Sequence, residues 1–517
     1  MNKPFHPLLF SVYFVIALLG LNISQVMPFA AYRAILVSLL LTGLLWFLLK
    51  LLVRDWGMAA MLTSLYLLLF FTYGHIYHLL KSYSIMGVIV GRHRLLFPVW
   101  IFLGILFTWL MVKKLVNPIP INRFLNILAI VALAFPVYQI TSQSIRASLH
   151  RQYPILVEGN TNDLSISTDH APPDIYYIIL DGYPRADFLT QVIGYDNSPF
   201  LDELKQRGFY VAECSQSNYS QTSLSMASVL NYNYLDALSD EFTSSNKDTS
   251  GLIQLISNSA VRQQLENLGY SFVTFENPYY WLRIPDADFY FAPSNSALGL
   301  GETMLRVNLF EAMLIRESAL VLLTDSATVL SRVFKVDMDY PNKEHRELIL
   351  YTLDKLKTIP LEIPSPKFIY AHIISPHSPI VFDQNGEFKE VQSDPPIDVY
   401  AAALADQIRY LNKRILGVVD EIINTSATPP IIILQGDHGV GIVKPNYRMD
   451  ILNAYYLPNG GDKPLYSTIT PVNTFRVIFD HYFGGQLPLL EDMSYYSEYG
   501  KRFDITEFPN NCQAIER

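Results

Sequence analysis

Long apolar stretches separated by short polar loops fill the first 140 residues of the chain. Five of these stretches approach the roughly 20 residues that an α-helix needs to cross a bilayer. They cover residues 8–23, 34–53, 58–80, 95–112 and 124–140. A removable signal peptide does not fit the first stretch, because no small-residue cleavage site follows it and four more stretches come after it. The pattern predicts a bundle of five spanning helices over residues 1–142, with four or six spans as the alternatives.

A different pattern follows the polar residues 143–173, which predict a linker. Short apolar runs typical of buried strands alternate there with helical periodicity. The predicted strands cover residues 175–180, 209–212, 271–275, 367–374 and 431–434. The clearest helix carries apolar residues at spacings of three and four, at Leu404, Ile408, Leu411, Ile415, Val418 and Ile422. This alternation predicts an α/β domain over residues 174–517 with a mostly parallel central sheet.

Charge is divided unevenly between these two parts of the chain. Residues 1–145 contain ten Lys and Arg and one acidic residue, which leaves 28 basic and 46 acidic side chains for the rest. An acidic domain excludes nucleic-acid binding, which needs a basic face. The loop charges slightly favour a cytoplasmic N-terminus, and an odd number of spans would then export the C-terminal half. Cys214 and Cys512 both lie in that half, where either a disulfide or two separate thiols would fit.

Several predicted strands end in polar groups of the same chemical kind. Asp181 follows the first strand, His377 follows the fourth, and Asp437-His438 follows the fifth. Because the carboxyl ends of parallel strands meet at one edge of a sheet, these side chains are expected to converge. Two carboxylates and an imidazole suit a divalent cation, which offsets the repulsion between the carboxylates. Turn capping explains Asp181 taken alone, but it does not explain the three segments together.

The polar segment 217–231 supplies a candidate nucleophile. Residues 224–230 predict a helix, with Thr222 or Ser223 at its start. Backbone N–H groups and the positive end of the helix dipole favour a bound phosphate at this position. Coordination to a metal is one way to activate a hydroxyl there. Plain capping of the helix by the hydroxyl is the alternative.

Four segments carry a resemblance to a known family. They read YYIILDGYPR, SNYSQTSLSMASVLN, HIISPHSP and IILQGDHG. In order and spacing they resemble the motifs of the sulfatase-like branch of the alkaline phosphatase superfamily. The layout of five spans and an exported domain is similar to that of lipoteichoic acid synthases and lipid A phosphoethanolamine transferases. The resemblance covers residues 174–480 and implies a divalent metal ion, which is zinc, manganese or magnesium in these families.

The resemblance also implies a role for each matching residue. The metal ligands would be Asp181, Thr222, Asp437 and His438. Thr222 would in addition be the nucleophile, and Asp181 stands where the related enzymes have Glu, a change that keeps the charge. His377 would contact the substrate phosphate or assist the leaving group. His372 and Ser223 are further substrate-binding candidates, and Ser223 is the second choice of nucleophile.

One missing motif narrows the expected reaction. Sulfatases of this superfamily convert the Cys or Ser of a C/S-x-P-x-R motif into formylglycine, and neither the Pro nor the Arg follows Thr222. We therefore expect transfer of a phosphoglycerol or phosphoethanolamine type of head group from a membrane lipid donor to a glycan or lipid acceptor. The expected place is the outer face of a bacterial cytoplasmic membrane. A metal-dependent hydrolase of phosphate or sulfate esters is the alternative, and an inactive membrane scaffold or sensor is a more distant one.

Two further segments allow two interpretations each. Residues 301–334 could form an amphipathic helix that lies on the membrane surface and guides a lipid, or a core helix of the exported domain. The aromatic residues of 279–281 and 289–291 could line a head-group or sugar site, or pack in the interior.

Overall fold

The computed structural model of the protein describes most of its 517 residues. The described ranges are 3–23, 26, 28–81, 83–85, 88–115, 117–149, 164–166, 171–239, 242–243, 249–293, 307–324, 340–389, 391, 395–441 and 445–512. The chain forms two compact units, Met1–Ile145 with Leu300–Pro341, and Arg146–Gly299 with Asn342–Arg517. Most of the predicted linker 143–173 lies outside the described residues. Residues 300–341, which the predicted division assigns to the C-terminal domain, group with the N-terminal helices.

The described residues form helices α1 to α16 and strands β1 to β11. The helices are α1 His6–Leu21, α2 Tyr32–Val53, α3 Trp56–Leu80, α4 His93–Lys114, α5 Ile119–Leu149, α6 Ala186–Phe188, α7 Ser198–Gln206, α8 Thr222–Val229, α9 Leu235–Leu238, α10 Ser250–Ser257, α11 Ala260–Asn267, α12 Leu309–Glu317, α13 Val321–Thr324, α14 Tyr340–Glu362, α15 Ile397–Thr425 and α16 Thr474–Phe483. The strands are β1 Ser84–Ile85, β2 Val88–Ile89, β3 Ile175–Leu180, β4 Tyr210–Val211, β5 Ser271–Phe275, β6 Phe289–Phe291, β7 Lys367–Ile373, β8 Ile431–Gln435, β9 Asn453–Tyr456, β10 Tyr495–Tyr496 and β11 Thr506–Glu507.

The first unit is built from long apolar helices. Among the described residues, four segments are long and apolar enough to cross a membrane, and they contain α2, α3, α4 and α5. The apolar windows of α2, α4 and α5 are only 6%, 11% and 17% buried, so most of their apolar surface faces outward, as it does in lipid-facing helices. The helix α1 is apolar but has only 16 residues. Four of the five predicted spans therefore reach the length of a bilayer core, and the first is shorter.

The helix α12 belongs to this first unit. It starts with a capping box, in which the side chains of Asn308 and Glu311 each accept a backbone N–H of the other residue. Glu311 also pairs with Arg33. A Cβ on Gly74 of α3 would lie 2.3 Å from the carbonyl carbon of Glu317, so the close approach of the two helices needs glycine there. The structure therefore does not place this helix in the core of the α/β unit. Residues 301–306 and 325–334 of the predicted amphipathic segment lie outside the described residues.

The second unit contains a seven-stranded sheet in the order β4-β9-β8-β3-β7-β5-β6. The central strand β3 pairs in parallel with β7 on one side and with β8 on the other. The strands β5 and β6 continue the parallel pairing beyond β7, whereas β9 is antiparallel to β8 and to β4. This confirms the predicted mostly parallel sheet.

Helices cover both faces of this sheet. On one face, Ile175, Tyr177 and Ile179 of β3 pack in a core with residues of α8, α10, α11 and α16. On the other face, Tyr176, Ile178 and Leu180 pack with residues of α7, α14 and α15. The apolar stripe predicted for α15 belongs to this second core. The α/β unit therefore has three layers, and burial on both faces explains why β3 is apolar or aromatic at every position.

A disulfide ties the C-terminal tail to the α/β unit. Cys214 and Cys512 are bonded, with 5.5 Å between their Cα atoms and a sequence separation of 298. Of the two states that fitted the sequence, the structure has the disulfide. The tail also lies beside the segment that precedes α8, where Ser220 N donates to Tyr495 O and Tyr495 N donates to Asn218 O.

Candidate metal centre

The candidate centre lies at the carboxyl end of the three central strands of the sheet. Asp181 is the first residue after β3, His372 is the last but one residue of β7, and Asp437 and His438 follow β8. In the strand register, Ile179 of β3 lies opposite His372 on one side and opposite Gln435 on the other. The parallel topology therefore brings these side chains to one edge of the sheet. The strand order predicted this place for Asp181, Asp437 and His438, whereas His372 was a candidate only through the family resemblance.

Asp181 occupies the middle of the cluster and is buried. Its Oδ2 lies 3.1 Å from Nε2 of His372, and its Oδ1 lies 3.8 Å from Nε2 of His438. His372 is itself held on two sides, because its Nδ1 lies 3.2 Å from the hydroxyl of Tyr370 and its carbonyl accepts a hydrogen bond from Asn277 Nδ2. Such outer contacts fix the orientation of an imidazole before any ligand binds.

Asp437 and His438 face Asp181 from the neighbouring strand. Oδ1 of Asp437 accepts the backbone N–H of Gly182 at 2.9 Å, and its Oδ2 lies 3.6 Å from Nε2 of His438. Nδ1 of His438 lies 2.8 Å from the carbonyl oxygen of Gly439. A contact to a carbonyl requires a proton on Nδ1, so in the neutral ring Nε2 carries the free lone pair. Nε2 lies within 4 Å of a carboxylate oxygen of both Asp181 and Asp437.

The glycines on either side of this pair are required by close backbone contacts. A Cβ on Gly436 would lie 2.5 Å from the carbonyl oxygen of Tyr183. A Cβ on Gly439 would lie 2.4 Å from the carbonyl oxygens of Tyr447 and Asp450. Only glycine lets the backbone approach so closely. The Gly-Asp-His-Gly sequence is therefore a geometric requirement of the turn that presents Asp437 and His438.

The donor set fits a divalent cation. Two groups of ligand atoms, from Asp181, His377 and His438 and from Asp181, His372 and Asp437, each lie within 4.8 Å of one another. Within the described part of the chain, Oδ1 of Asp181 and Oδ2 of Asp437 are buried without a hydrogen-bond partner. Leaving a buried polar atom unpaired costs about 1–3 kcal/mol, and more for a charged group, and a cation would remove that cost. Carboxylate and imidazole ligands suit zinc or manganese.

The electrostatic environment favours the ionised form of Asp181, which is the form that binds a cation. Burial alone would raise the pKa of Asp181, but the neighbouring His377, His372 and His438 outweigh it and hold that pKa below its ordinary range. Burial lowers the pKa of His438 from its ordinary value. An ionised carboxylate beside a neutral imidazole is the protonation state in which both groups bind a metal.

The candidate nucleophile stands at the start of α8. Thr222 is the first residue of this helix, and Gln221, without a capping hydrogen bond of its own side chain, is the N-cap residue. Capping of the helix by Thr222 or Ser223 is therefore not what the structure shows. One side chain joins this helix start to the centre, since Arg448 Nε donates to Ser220 O at 2.7 Å and its Nη2 lies 3.1 Å from Nε2 of His438. Coordination of a cation by Thr222 stays a prediction.

His377 lies at the edge of the same cluster. Its backbone N–H donates to the carbonyl oxygen of Asp181 at 2.9 Å, and its ring centroid is 5.8 Å from that of His438. Its Nδ1 lies 2.7 Å from the carbonyl oxygen of Ser378. The catalytic role of His377 and the substrate-binding roles of His377, His372 and Ser223 stay predictions.

Sequence reasoning missed Arg448. It ends the 3₁₀ turn Pro445–Arg448, ten positions after His438, and no local pattern marks it. Its place in the centre follows from tertiary contacts, because Gly439 N donates to Arg448 O and folds this turn back onto the Asp437-His438 segment. The aromatic stretch 279–281 also has a neighbour that the sequence did not show, since the charge of Asp181 is among the causes that raise the pKa of Tyr279, after burial.

Comparisons with known proteins find likeness in structure. No family model and no curated protein sequence matches the chain. The C-terminal periplasmic domain of EcEptC from Escherichia coli, in complex with zinc, is similar at a TM-score of 0.43 and 12% identity, covering 68% of this chain and 95% of that one. Lipooligosaccharide phosphoethanolamine transferase A from Neisseria meningitidis, an integral membrane protein, is similar at a TM-score of 0.35 and 12% identity, covering 92% and 96%. The lipoteichoic acid synthase LtaP from Listeria monocytogenes is similar at 0.31 and 12%, covering 58% and 71%.

A phosphoethanolamine transferase and a lipoteichoic acid synthase are thus among the structures that the chain is similar to. They represent the two groups of enzymes that the sequence motifs resemble. One fold can support many different reactions, so the reaction depends on the side chains of the centre.

Proposed function

We propose that the protein transfers a phosphoryl-linked head group, of the phosphoglycerol or phosphoethanolamine type, from a membrane lipid to a glycan or lipid of the cell envelope. The reaction would need a divalent cation and would pass through a covalent intermediate on Thr222. It would take place on the extracytoplasmic side of a bacterial cytoplasmic membrane, which α2 to α5 would cross.

The observation that carries this proposal is the pair of buried carboxylate oxygens, Asp181 Oδ1 and Asp437 Oδ2, which have no partner among the described residues. Both carboxylates lie within 4 Å of Nε2 of His438. A cation bound there would stabilise charge on phosphoryl oxygens and would lower the pKa of a coordinated hydroxyl. If these carboxylate oxygens accepted hydrogen bonds from neighbouring side chains, a purely structural cluster would be favoured instead.

Two residues would carry the chemical steps. Thr222 would attack phosphorus as the alkoxide, its hydroxyl proton having been released to water before the substrate reacts, and the bond from phosphorus to the lipid alcohol oxygen would break as the new bond forms. His377 would donate a proton to the departing alcohol, and later take one from the acceptor hydroxyl as that hydroxyl displaces Thr222 from phosphorus. Because Nδ1 of His377 contacts Ser378 O, its Nε2 is the nitrogen that can exchange this proton.

A lipid substrate agrees with the domain organisation of the chain. The helices that would cross the membrane belong to the same polypeptide as the α/β unit, so they would keep that unit at the surface where a lipid head group is found. The disulfide between Cys214 and Cys512 supports an oxidising compartment outside the cytoplasm for the α/β unit.

A head-group transfer assay tests the proposal. Full-length protein, purified in detergent and loaded with zinc, is given a phospholipid that carries a radiolabelled head group and a glycan acceptor. We expect Thr222→Ala to abolish release of the label, and we expect mass spectrometry of the unaltered protein to show a phosphoryl adduct on Thr222. A Thr358→Ala variant, which removes an exposed hydroxyl of α14, is the matched control and should keep the rate.

The products decide between transfer and hydrolysis. Label on the acceptor supports a transferase, and label found solely as free head group supports the hydrolase instead. A Thr222→Ala variant with an undiminished rate would remove Thr222 as nucleophile, and the same assay on Ser223→Ala would then test the second choice. Absence of any bound metal from the purified protein would favour the inactive scaffold.

A further inference from the structure

Arg448 contacts two parts of the candidate centre at the same time. Its Nε donates to the carbonyl oxygen of Ser220 at 2.7 Å, two residues before Thr222, and its Nη2 lies 3.1 Å from Nε2 of His438. Its stem packs on Gly441, where a Cβ would come within 2.9 Å of Cγ of Arg448. The guanidinium is therefore held between the start of α8 and the cluster of carboxylates and imidazoles.

The charge of Arg448 is not matched by a carboxylate. The structure pairs other arginines of the α/β unit with acidic partners, as in Arg185 with Asp187 and Asp450, and Arg207 with Asp420. No acidic side chain of the described residues lies within 4.0 Å of a nitrogen of Arg448, whose contacts are a carbonyl and an imidazole. A half-buried guanidinium without a counter-charge is a site for an anion, and its planar fork matches the oxygens of phosphate.

The contact to His438 involves a lone pair that a cation would also use. Since Nδ1 of His438 carries the proton, the Nη2 group of Arg448 donates to the Nε2 lone pair. An N–H group and a metal ion cannot share one lone pair. When the lone pair binds a cation, Nη2 loses its acceptor, while Nε stays anchored on Ser220 O.

We propose that Arg448 binds the phosphoryl oxygens of the substrate beside Thr222, and that it is a phosphate-recognition residue of this centre. The inference rests on the proposed function, because it assumes that the centre takes a phosphate ester. Its two anchors hold the guanidinium between the imidazole of His438 and the segment that leads into Thr222. Its charge favours a phosphate dianion or diester over a neutral ester.

Binding of two ions separates this role from a purely structural one. The purified full-length protein is titrated calorimetrically with zinc and then, when loaded with zinc, with inorganic phosphate. For R448Q we expect the dissociation constant of phosphate to rise about tenfold or more, because a charged hydrogen-bond donor is lost. The affinity for zinc should stay equal or increase, because the variant removes a positive charge next to the cation. R448K should lie between R448Q and the unaltered protein, since lysine keeps the charge without the fork.

The controls make each outcome decisive. R207Q, which removes an arginine paired with Asp420 on the surface, should bind both ions as the unaltered protein does. The inference is overturned if R448Q binds phosphate within about twofold of the unaltered protein, or if it loses zinc and phosphate together, as misfolding would cause. If R448Q cannot be recovered folded, R448K is compared in the same way.

Failure of the inference and failure of the proposed function give different results. A zinc-loaded protein that binds phosphate through Arg448 but neither transfers nor releases a head group contradicts the proposed function and leaves phosphate recognition by Arg448 supported. A protein that transfers the head group while R448Q binds phosphate normally contradicts the role of Arg448 alone. A zinc-loaded protein that does not bind phosphate contradicts both.

Discussion

Single side chains decide whether a cation can bind at the sheet edge. Asp437 uses Oδ1 to accept the N–H of Gly182, while its Oδ2 is buried without a partner among the described residues. In Asp437→Asn the amide oxygen can keep the bond to Gly182, but the second anionic oxygen is lost. We expect the affinity for zinc to fall by more than about 100-fold, since losing even an outer-shell partner costs 10–100-fold. Calorimetric titration with zinc measures this.

An acidic residue outside the centre controls for the loss of charge. Asp420→Asn removes a carboxylate of α15 that pairs with Arg207. This variant should bind zinc as tightly as the unaltered protein. Equal zinc affinities of the Asp437→Asn and Asp420→Asn variants would mean that Asp437 is not a ligand.

A second residue should make stability depend on pH. His345 is buried, and burial, together with the charge of His377, lowers its pKa to about 4 from an ordinary 6.5. Between these values the unfolded chain binds the proton more tightly, so the free energy of unfolding falls as the pH drops from 6.5 to 4. The loss should amount to about 3 kcal/mol at most. Stability above pH 6.5 is unaffected by this group.

Chemical denaturation in detergent at several pH values measures this effect. His345→Gln should flatten the dependence between pH 6.5 and 4, because glutamine does not titrate there. His481→Gln, at an exposed position of α16, should leave the dependence unchanged. A slope that is the same in His345→Gln as in the unaltered protein would show that other groups cause it.

The residues of the centre differ in how far sequence could identify them. Asp181 directly follows β3, and Asp437 comes two residues after the end of β8. The alternation of strands and helices predicts that these strands are parallel, and the two carboxylates are then expected at the same edge of the sheet. Arg448 and His345 lie in a turn and on a helix, and they reach the centre only through the packing of those elements. Their chemistry is visible in the sequence, but their position is not, because long-range contacts determine it.

At the scale of elements, the C-terminal tail holds the segment that leads into α8. Ser497 N donates to Ser220 Oγ, and Gln221 Nε2 donates to Ser497 Oγ and to the carbonyl oxygen of Glu498. Arg502 Nε donates to Gln221 Oε1. The disulfide fixes the end of this tail. The position of Thr222, the residue after Gln221, therefore depends on an element that is distant in sequence.

Removal of the disulfide tests this dependence. The double variant Cys214→Ser with Cys512→Ser should lose about 2–5 kcal/mol of unfolding free energy. Its rate of head-group release should fall by a larger factor than its zinc affinity, because the tail contacts the segment before Thr222 and not the carboxylates of Asp181 and Asp437. Thr506→Ala, at an exposed position of β11, is the control in the same tail. An unchanged rate in the double variant would show that the tail does not position Thr222.

The sequence predicted the elements whose apolar residues recur with a clear period. It did not predict the packing of an element whose apolar face fits more than one neighbour. The strands over 175–180 and 271–275 have the predicted bounds, and the stripe of α15 is buried as its spacing requires. The segment that contains the helix α12 allowed two interpretations from sequence, a helix on the membrane surface or a core helix of the exported domain. Its neighbours are set by tertiary contacts such as Ala319 N with Phe70 O, which periodicity cannot reveal.

At the scale of the whole molecule, two independent properties predict the membrane topology. They place the loop between α4 and α5 in the cytoplasm and the α/β unit outside it. The N-terminal part is apolar and basic, with four segments long enough to cross a bilayer, whereas the acidic remainder contains the disulfide. A loop around Asn117, between α4 and α5, would be cytoplasmic if the basic residues Lys113, Lys114 and Arg123 stay inside. Disulfides persist in oxidising compartments, so the α/β unit would be outside.

Labelling with a membrane-impermeant maleimide tests this arrangement in cells. Both native cysteines are bonded to each other, so the unaltered protein should not react and serves as the blank. Thr358→Cys, exposed on α14, should be labelled in intact spheroplasts, and Asn117→Cys should be labelled only after the membrane is permeabilised. The reverse pattern would place the centre in the cytoplasm, where neither an envelope acceptor nor a stable disulfide is available. Labelling of both variants in intact cells would mean that residues 113–123 are not a cytoplasmic loop, so the helices on either side of it would need a different topology.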